Sequence, residues 1–293
     1  MEPVRELLRC REIDDGADRV SLTLHREDFS ALYPGMIRFA LAVSSGEKIR
    51  AVFRTNTFEY SPLVPLKAET VAIQTADDWE QQLRTNRTLF FQDHWPESHR
   101  HTSLPSPDMV VIQGSPRGDG NCSILAGWAF EAAHALGKTV RVIYPHDMNI
   151  NCCIGCYQCY NTGSCVFDDD MQEITDALRD TSLLVVCSPV YTNTVPGGLK
   201  LVIDRCQAYH AERAIYGGKL GQKGLLFSVA GRKGEENFTC ITRVISAFLW
   251  NLEIEPAGEV LIDRVDAVRD IRTIDGLERT VKEKITRLFM NSS

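Results

Sequence analysis

Four cysteines, Cys153, Cys156, Cys159 and Cys165, fall within the short stretch CIGCYQCYNTGSC. The spacing C-x2-C-x2-C-x5-C lets three thiolates converge on a compact centre, and the longer step adds a fourth. Bacterial ferredoxins use the same opening to bind [4Fe–4S] clusters, whereas zinc sites more often place two C-x2-C pairs a dozen or more residues apart. The spacing therefore predicts an iron–sulfur cluster, with a zinc ion or a thiol–disulfide redox site as alternatives. Cys152 is either a bystander or an alternative ligand.

Composition and sequence pattern together indicate that these thiols lie in a reducing compartment. The chain has 293 residues, 44% apolar and 24% charged, with a formal net charge of −7 and a pI near 5.6. This charge argues against a nucleic-acid surface, which needs clustered positive groups. No apolar run approaches the ~18 residues of a membrane span, and the N-terminal residues lack the order of a signal peptide. We therefore expect a cytoplasmic protein, in which clustered cysteines bind metal or act in redox chemistry.

A glycine-rich stretch, QGSPRGDGNCSIL, follows a short apolar run and precedes a helical pattern. Glycines let backbone N–H groups converge, and a helix start offers its positive end to an anion. Arg117 adds a forked contact to phosphate, and Asn121, Cys122 and Ser123 stand where side chains and amides would hold it. The stretch has neither the G-x-x-x-x-G-K-[ST] nor the G-x-G-x-x-G pattern. It therefore predicts a monophosphate site, with an ordinary flexible turn as the alternative.

Two further loops leave the same edge of the predicted fold. SPVYTNTVPGGLK follows one buried strand and AGRKGEEN follows the next. A planar ring there would contact Tyr191 and the backbone from Thr192 to Thr194. The three loops together predict a pocket for a phosphate, a linker and a flat ring, although Tyr191 could simply cap its strand. Tyr191 is also a candidate catalytic proton donor, whereas nothing in the sequence marks His134 or His210 as a general acid or base.

A regular alternation of strands and helices from residue 109 to about residue 289 positions these motifs. Apolar runs predict five strands, and apolar residues at helical spacing predict five helices. The run SLLVVCSPV is nearly unbroken, which is typical of a strand buried on both faces. We therefore predict an α/β fold with a doubly wound, five-stranded parallel sheet, which binds ligands at the carboxyl ends of its strands. The cysteine loop leaves the second strand at that edge.

The first hundred residues follow a different pattern. RVSLTLH, MIRFALAV, IRAVFRTNTFEY and ETVAIQT predict short strands, and DDWEQQLRTNRTLFF predicts a helix. They indicate a smaller β or α+β domain without a chemical motif. The segment His94–Asp108, rich in Pro, Ser and His, is typical of a linker. We expect an N-terminal domain plus linker at residues 1–104 and an α/β domain at residues 105–293, with the cysteine loop at 152–165.

Together these motifs resemble the iron–sulfur flavoproteins, a branch of the flavodoxin-like, NAD(P)H-dependent FMN reductase superfamily. The resemblance covers about residues 107 to 265 and rests on GSPRGDGNCS, on I-x-x-C-I-G-C-x-x-C-x5-C followed by DDM, and on SPVYTNTVPGGLKLVIDR. It implies FMN, a [4Fe–4S] cluster on the four cysteines, and a homodimer or homotetramer whose subunits share the flavin site. The residues that it implies for the FMN phosphate are Ser115, Arg117, Asn121, Cys122 and Ser123. Those that it implies for the flavin ring are Pro189, Val190, Tyr191, Thr192 and Asn193, with Gly231 nearby.

The chain departs from the family pattern at two places. Cys122 stands where many relatives carry Thr, which still permits a phosphate contact through the backbone. The N-terminal hundred residues have no counterpart in the simplest members, so substrate and partner can differ from theirs.

Motifs and resemblance together predict an FMN-dependent iron–sulfur oxidoreductase whose cofactors carry the chemistry. The donor would be NAD(P)H or a reduced ferredoxin, and the acceptor a small molecule such as a quinone, an oxygen species or a specific metabolite. One alternative is a biosynthetic dehydrogenase of an aminodeoxychorismate-type substrate. Others are a non-catalytic redox or zinc sensor, and an interaction protein that docks through its N-terminal domain.

Overall fold

The computed structural model describes residues 3–14, 19–94 and 106–290, which form two units. The N-terminal unit comprises the described residues of Met1–Arg100, Ile154–Val166 and Ala211–Tyr216. The α/β unit comprises those of His101–Cys153, Phe167–His210 and Gly217–Ser293. The cysteine loop from Ile154 onward therefore packs with the N-terminal residues. The predicted domain boundary at residues 104 and 105 lies outside the described residues.

An antiparallel sheet with its four strands in sequence order forms the framework of the N-terminal unit. The strands are β1 (Val4–Asp14), β2 (Arg19–Asp28), β3 (Ile37–Ser45) and β4 (Lys48–Asn56). Val20, Leu22 and Leu24 alternate along β2 and are buried, as expected for a sheet with one face on a core. That core is shared with two helices, α1 (Ala68–Thr85) and α2 (Arg87–Asp93).

The stretch ETVAIQT forms the first half of α1, so its prediction as a strand was wrong. Its β-branched residues favour a strand when they are considered alone. The buried residues of α1, however, recur every three or four positions, which is the spacing of one helix face. They are Ala68, Ala72, Ala76, Trp79 and Leu83. Small alanines thus carry the buried face, while the larger Ile73 is exposed.

The α/β unit is built on a five-stranded sheet whose strands are all parallel. They are β5 (Met109–Gln113), β6 (Val140–Ile143), β7 (Leu183–Pro189), β8 (Lys223–Val229) and β9 (Glu255–Ile262). The remaining α-helices of the described residues are α3 (Asn121–His134), α4 (Cys159–Thr162), α5 (Met171–Arg179), α6 (Gly197–Arg205), α7 (Gln207–Tyr216), α8 (Thr239–Asn251), α9 (Val265–Val268) and α10 (Leu277–Met290). Of these, α4 and the second part of α7 belong to the N-terminal unit.

Helices cover both faces of this sheet, which explains why its strands are apolar throughout. Buried residues of α3 and α10 pack against one face, and those of α5, α6 and α8 pack against the other. The strand order is β6-β5-β7-β8-β9, so the chain changes direction across the sheet between β5 and β7. The predicted doubly wound α/β fold is confirmed. Within the described ranges, no helix combines the length and apolar character needed to cross a bilayer.

Candidate functional site

The loop after β5 folds around the buried side chain of Gln113. Its Nε2 donates to the carbonyl oxygen of Arg117 (3.1 Å) and to Oγ of Ser123 (2.8 Å). Its Oε1 accepts a hydrogen bond from the backbone nitrogen of Ser115 (2.8 Å). The Ser115 hydroxyl in turn accepts a hydrogen bond from the backbone nitrogen of Arg117 (3.2 Å). These hydrogen bonds fix the conformation of the turn, and the Arg117 side chain remains exposed on its surface.

The loop leads directly into the N-terminus of α3. The residue before the helix is Gly120, which provides no side-chain cap, and the first amides of any helix lack acceptors within it. Together with the helix dipole, these amides favour an anion. Oδ1 of the Asn121 side chain accepts a hydrogen bond from the backbone nitrogen of Ile271 (3.3 Å), so this oxygen already has a donor within the chain.

Cys122, predicted among the phosphate ligands, has its side chain in the apolar core. The residue is 2% exposed, and burial raises the pKa of its thiol to about 12. Any contact from Cys122 to a phosphate must therefore come from its backbone amide, the contact that was predicted for a cysteine at this position.

The loop after β7 makes a tight two-residue turn. Tyr191 and Thr194 exchange backbone hydrogen bonds of 2.9 and 3.0 Å, and Thr192 (φ 47°) and Asn193 (φ 61°) between them are left-handed. Such a turn favours glycine, and a residue other than glycine there costs on the order of 1 kcal/mol. Strain of this kind tends to occur where a backbone is fixed for function. Tyr191 is 39% exposed in this turn.

Gly231, two residues beyond β8, lies against the carboxylate of Asp266. A Cβ atom on Gly231 would overlap both carboxylate oxygens, so no larger residue fits while Asp266 keeps this position. This close approach places the Asp266 carboxylate beside the loop after β8.

Strand register brings these loops to one edge of the sheet. Gln113 pairs with Cys187, and Pro189 pairs with Val229, so the first residues of the three loops start at similar heights. Adjacent strands are ~4.8 Å apart, which puts the loops after β5 and β8 about 10 Å apart across β7. The site lies at the point where strand order reverses, the usual ligand position in open α/β sheets.

The cysteine loop has an irregular backbone with three residues of positive φ, Gly155 (φ 63°), Tyr157 (φ 58°) and Gly163 (φ 74°). Cys153 is exposed, and Cys156, Cys159 and Cys165 are half-buried. None of them forms a disulfide. Within residues 3–14, 19–94 and 106–290, no three His, Cys, Asp or Glu side chains are close enough together to hold a metal ion.

The loop cysteines nevertheless have the chemistry of a thiolate ligand set. Metal ligation requires thiolates, and burial in apolar surroundings disfavours them. Burial raises the pKa of Cys206 to about 12 and that of Cys187 well above its usual value, so these core cysteines are poor ligands. Because the four loop cysteines are accessible and close in sequence, their donor types fit a bound cluster, although the structure does not gather them into a preformed site.

Comparison with known proteins identifies the family. Residues 107–263, more than half of the chain, match the sequence profile of the NADPH-dependent FMN reductases. The chain belongs to this family. The matched residues include all three loops at the carboxyl edge of the sheet and the whole cysteine loop.

Curated relatives of the chain carry the name iron–sulfur flavoprotein. One from Archaeoglobus fulgidus is 33% identical over 139 residues, which cover 47% of this chain and 62% of the relative. Those from Methanocaldococcus jannaschii and Methanosarcina thermophila are each 35% identical, over 33% and 32% of this chain and 50% and 49% of the relatives. The chain thus spans about half to three fifths of these relatives. The resemblance predicted from the motifs is confirmed.

The carboxyl edge of this FMN reductase fold fits FMN as its ligand. The open helix start and the exposed Arg117 suit a phosphate, and the strained turn at Thr192 and Asn193 presents backbone and the Tyr191 ring to a flat ring system. The individual contacts of the eleven residues predicted for FMN, and the role of Tyr191 as a proton donor, stay predictions.

Asp169 and Arg205 form a buried ion pair at the base of the cysteine loop, and sequence reasoning missed it. Arg205 Nη1 and Nη2 lie 2.6 and 2.9 Å from the two carboxylate oxygens, and both side chains are only 1% exposed. Burial alone would raise the pKa of Asp169, but hydrogen bonds from Arg205 and from Asn151 outweigh it and hold this pKa well below its usual range. The pair stays charged at neutral pH.

This ion pair connects the chain before the cysteine loop to the chain after it. Arg205 Nη1 also donates to the Asn151 carbonyl (2.8 Å), and the backbone nitrogen of Asn151 donates to Asp169 (2.9 Å). A signal was present in the sequence, since Asp169 belongs to DDM and Arg205 to IDR, both parts of the family motifs. Gln113 carries no comparable signal, because its role depends on the path of the loop that it organises.

Proposed function

We propose that this protein is an FMN- and iron–sulfur-dependent oxidoreductase. It would transfer electrons between a reduced donor, NAD(P)H or ferredoxin, and a small-molecule acceptor. The observation that carries the proposal is the pairing, in an FMN reductase chain, of an uncapped helix start after β5 with a strained turn after β7 at the same sheet edge. Bound FMN would supply hydride and electron transfer, and a [4Fe–4S] cluster would supply single-electron steps.

The chain's own groups would bind and orient these cofactors. The Arg117 guanidinium and the first amides of α3 would neutralise the FMN phosphate. The backbone of Pro189, Val190, Thr192 and Asn193 would support the flavin ring, with the backbone of Gly231 nearby. The Tyr191 hydroxyl would hold a proton at the ring edge. The cluster would be bound by Cys153, Cys156, Cys159 and Cys165.

The first test is anaerobic purification followed by a visible spectrum and iron, sulfide and zinc analysis. Flavin bands with about four irons per chain are expected for the two cofactors. One zinc, or no metal, would restrict the function to FMN chemistry alone. Absence of flavin after reconstitution with FMN would overturn the proposal.

Matched variants then assign the residues. Arg117→Ala is expected to weaken FMN binding at least tenfold, because a charge-assisted contact to phosphate is lost, whereas Arg243→Ala, at an exposed position of α8, should not. Cys159→Ser should lower the iron content, and Cys240→Ser, also exposed on α8, should leave it unchanged.

Donor and partners are to be tested on the same preparation. NADH, NADPH and reduced ferredoxin should be compared as reductants under anaerobic conditions, with quinones and oxygen as acceptors. A homodimer or homotetramer stays a prediction, for which light scattering of the holoprotein is the direct measurement. The cytoplasmic location also stays a prediction.

A further inference from the structure

The middle of the cysteine loop is part of the N-terminal unit and packs against residues 19–94 of that unit. The short helix α4, which contains Cys159, packs against the end of β4. Tyr160 on α4 is 1% exposed and shares an apolar cluster with Phe29 and Met36, which flank the connection from β2 to β3. A loop that supplies ligands is usually exposed, so burial of its central residue calls for a reason.

Asn56, a fully buried residue at the end of β4, makes the first polar link to the loop. Its Nδ2 donates to the carbonyl oxygen of Tyr157 (3.1 Å) and to Oδ1 of Asn161 (2.9 Å). Its own Oδ1 caps the turn Thr57–Glu59 by accepting from the backbone nitrogen of Phe58 (3.0 Å). One side chain therefore closes a turn of the N-terminal sheet and holds the loop on both sides of Cys159.

Glu59, at the end of that turn, makes the second link. Its Oε2 accepts from Nε2 of Gln158 (2.8 Å), and its Oε1 accepts from Nδ2 of Asn161. Oε1 also accepts from the backbone nitrogen of Asn56 (2.9 Å), which completes a capping box. The carboxylate is thus shared between the N-terminal unit's own turn and the loop.

Arg38 makes the third link, from within a buried ion pair. Glu27 and Arg38 are neighbours across β2 and β3, and Arg38 Nε lies 2.6 Å from Glu27 Oε2. Their side chains are 0% and 6% exposed, which is rare for charged residues unless they are paired. Arg38 Nη1 donates to the carbonyl oxygen of Tyr160 (2.9 Å). A charged donor inside the N-terminal core is thereby directed at the backbone of the loop.

Aromatic contacts support the same segment. The Tyr157 ring lies 5.0 Å from that of Phe58, and the Tyr160 ring meets that of Tyr33 edge-on at 5.5 Å. Tyr157 is left-handed, a conformation that a residue other than glycine keeps only when its surroundings impose it. Here the contact with Phe58 and the hydrogen bond from Asn56 to the Tyr157 carbonyl provide those surroundings.

We propose that residues 19–94 hold the cysteine loop within the N-terminal unit, and that Arg38, Asn56 and Glu59 are positioning residues that fix Cys156 and Cys159 before any metal binds. The four residues that flank Cys159, at positions 157, 158, 160 and 161, are each tied to this unit. An ordered loop loses less conformational entropy when it takes up a ligand. The proposal rests on the proposed function only for the identity of the bound group, an iron–sulfur cluster.

The test uses Asn56→Ser in the full-length chain. Serine keeps an oxygen that can cap the turn but removes the amide that donates to the loop. The matched control is Asn86→Ser, because Asn86 caps α2 of the same unit by accepting from the backbone nitrogen of Leu89 (3.1 Å). Gln158→Met, which removes the bond to Glu59 from the loop side, is a second variant in case Asn56→Ser disturbs the sheet.

Metal-free protein gives the first readout. Hydrogen exchange at the amides of α4 and alkylation of Cys159, measured relative to the exposed Cys240, should each speed up about tenfold in Asn56→Ser, as expected for two lost hydrogen bonds. Exchange in β2 and β3 should not change, and Asn86→Ser should behave as wild type in the loop. Wild-type rates in the loop of both Asn56→Ser and Gln158→Met would overturn the proposal.

Iron loading separates this proposal from the proposed function. If the wild-type chain takes up iron, Asn56→Ser should load it several-fold more slowly, while FMN binding is retained. Loading at the wild-type rate with an unchanged cluster spectrum would overturn the positioning role. If the wild type binds no iron, the cluster proposal fails, and the exchange and alkylation rates still decide whether the N-terminal unit holds the loop.

Discussion

Replacing Arg205 by leucine should destabilise the protein by about 3–5 kcal/mol at neutral pH, the usual effect of removing one partner of a buried ion pair. Arg205 and Asp169 are each 1% exposed, and two contacts of 2.6 and 2.9 Å join them. Without the guanidinium, the donors that the described residues still offer to the Asp169 carboxylate are neutral: Asn151 and the backbone nitrogen of Met171. Against a total stability of about 5–15 kcal/mol, this loss is large.

The loss of unfolding free energy in Arg205→Leu should become smaller as the pH falls. In the wild type the pKa of Asp169 is lowered by folding, so its contribution is present above the unfolded pKa of about 4 and is lost as pH falls through the lower folded value. In Arg205→Leu, burial without the cation raises the pKa of Asp169, and protonation then removes the buried charge. The difference in unfolding free energy between the two proteins should therefore shrink between pH 7 and pH 4.

The assay is urea unfolding followed by circular dichroism at both pH values. Lys200→Leu is the control on the same helix, because Lys200 and Asp204 form an exposed i,i+4 pair that is worth less than about 1 kcal/mol. The double variant Asp169→Asn with Arg205→Leu should recover part of the loss, since no unpaired charge remains. A cost below about 1 kcal/mol for Arg205→Leu at pH 7, or a deficit that does not change with pH, would refute the reasoning.

Four further predictions concern the two units separately. Gln113→Leu removes three hydrogen bonds from the loop after β5 and, on the proposed function, should weaken FMN binding about tenfold or more, measured by flavin fluorescence; an unchanged Kd would contradict this role. Gly114→Ala places a Cβ 2.7 Å from Cδ2 of the buried Leu199 and should cost about 1–3 kcal/mol in thermal unfolding. Cys122, with its pKa raised to about 12, should resist alkylation at pH 8 in the folded protein, and a rate equal to that of exposed cysteines would exclude the buried position. Burial of Glu27 would raise its pKa, but the guanidinium groups of Arg38 and Arg5 outweigh burial and lower it. Glu27→Gln should therefore be less stable than wild type at pH 7, and the difference in unfolding free energy, measured in urea, should narrow below about pH 4.

The α/β unit could be predicted closely because its physical demands are local. A parallel strand covered on both faces must be apolar along its length, so SLLVVCSPV predicts β7, which runs from Leu183 to Pro189. β1 is the opposite case. Its sequence VRELLRCREID is exposed at nearly every position and has no alternation to detect, and it forms because β2 offers a backbone to pair with. The strand predicted at ETVAIQT failed because alanines, which weigh little in a hydrophobic pattern, carry the buried face of α1.

The candidate site also combines features that are local in sequence with contacts between residues that are distant in sequence. The predictions of ligand chemistry rest on local features, the spacing of the four cysteines and the glycines after β5, and the individual ligands stay predictions. The groups that hold those ligands are distant in sequence: Asn56 and Arg38 contact residues about a hundred positions further along the chain. No local pattern distinguishes Asn56 from any polar residue at a strand end, or Arg38 from the other arginines of a charged sheet. An N-terminal region without a chemical motif can therefore still matter for the chemistry, because what it contributes is the conformation of a loop whose reactive atoms lie elsewhere in the sequence.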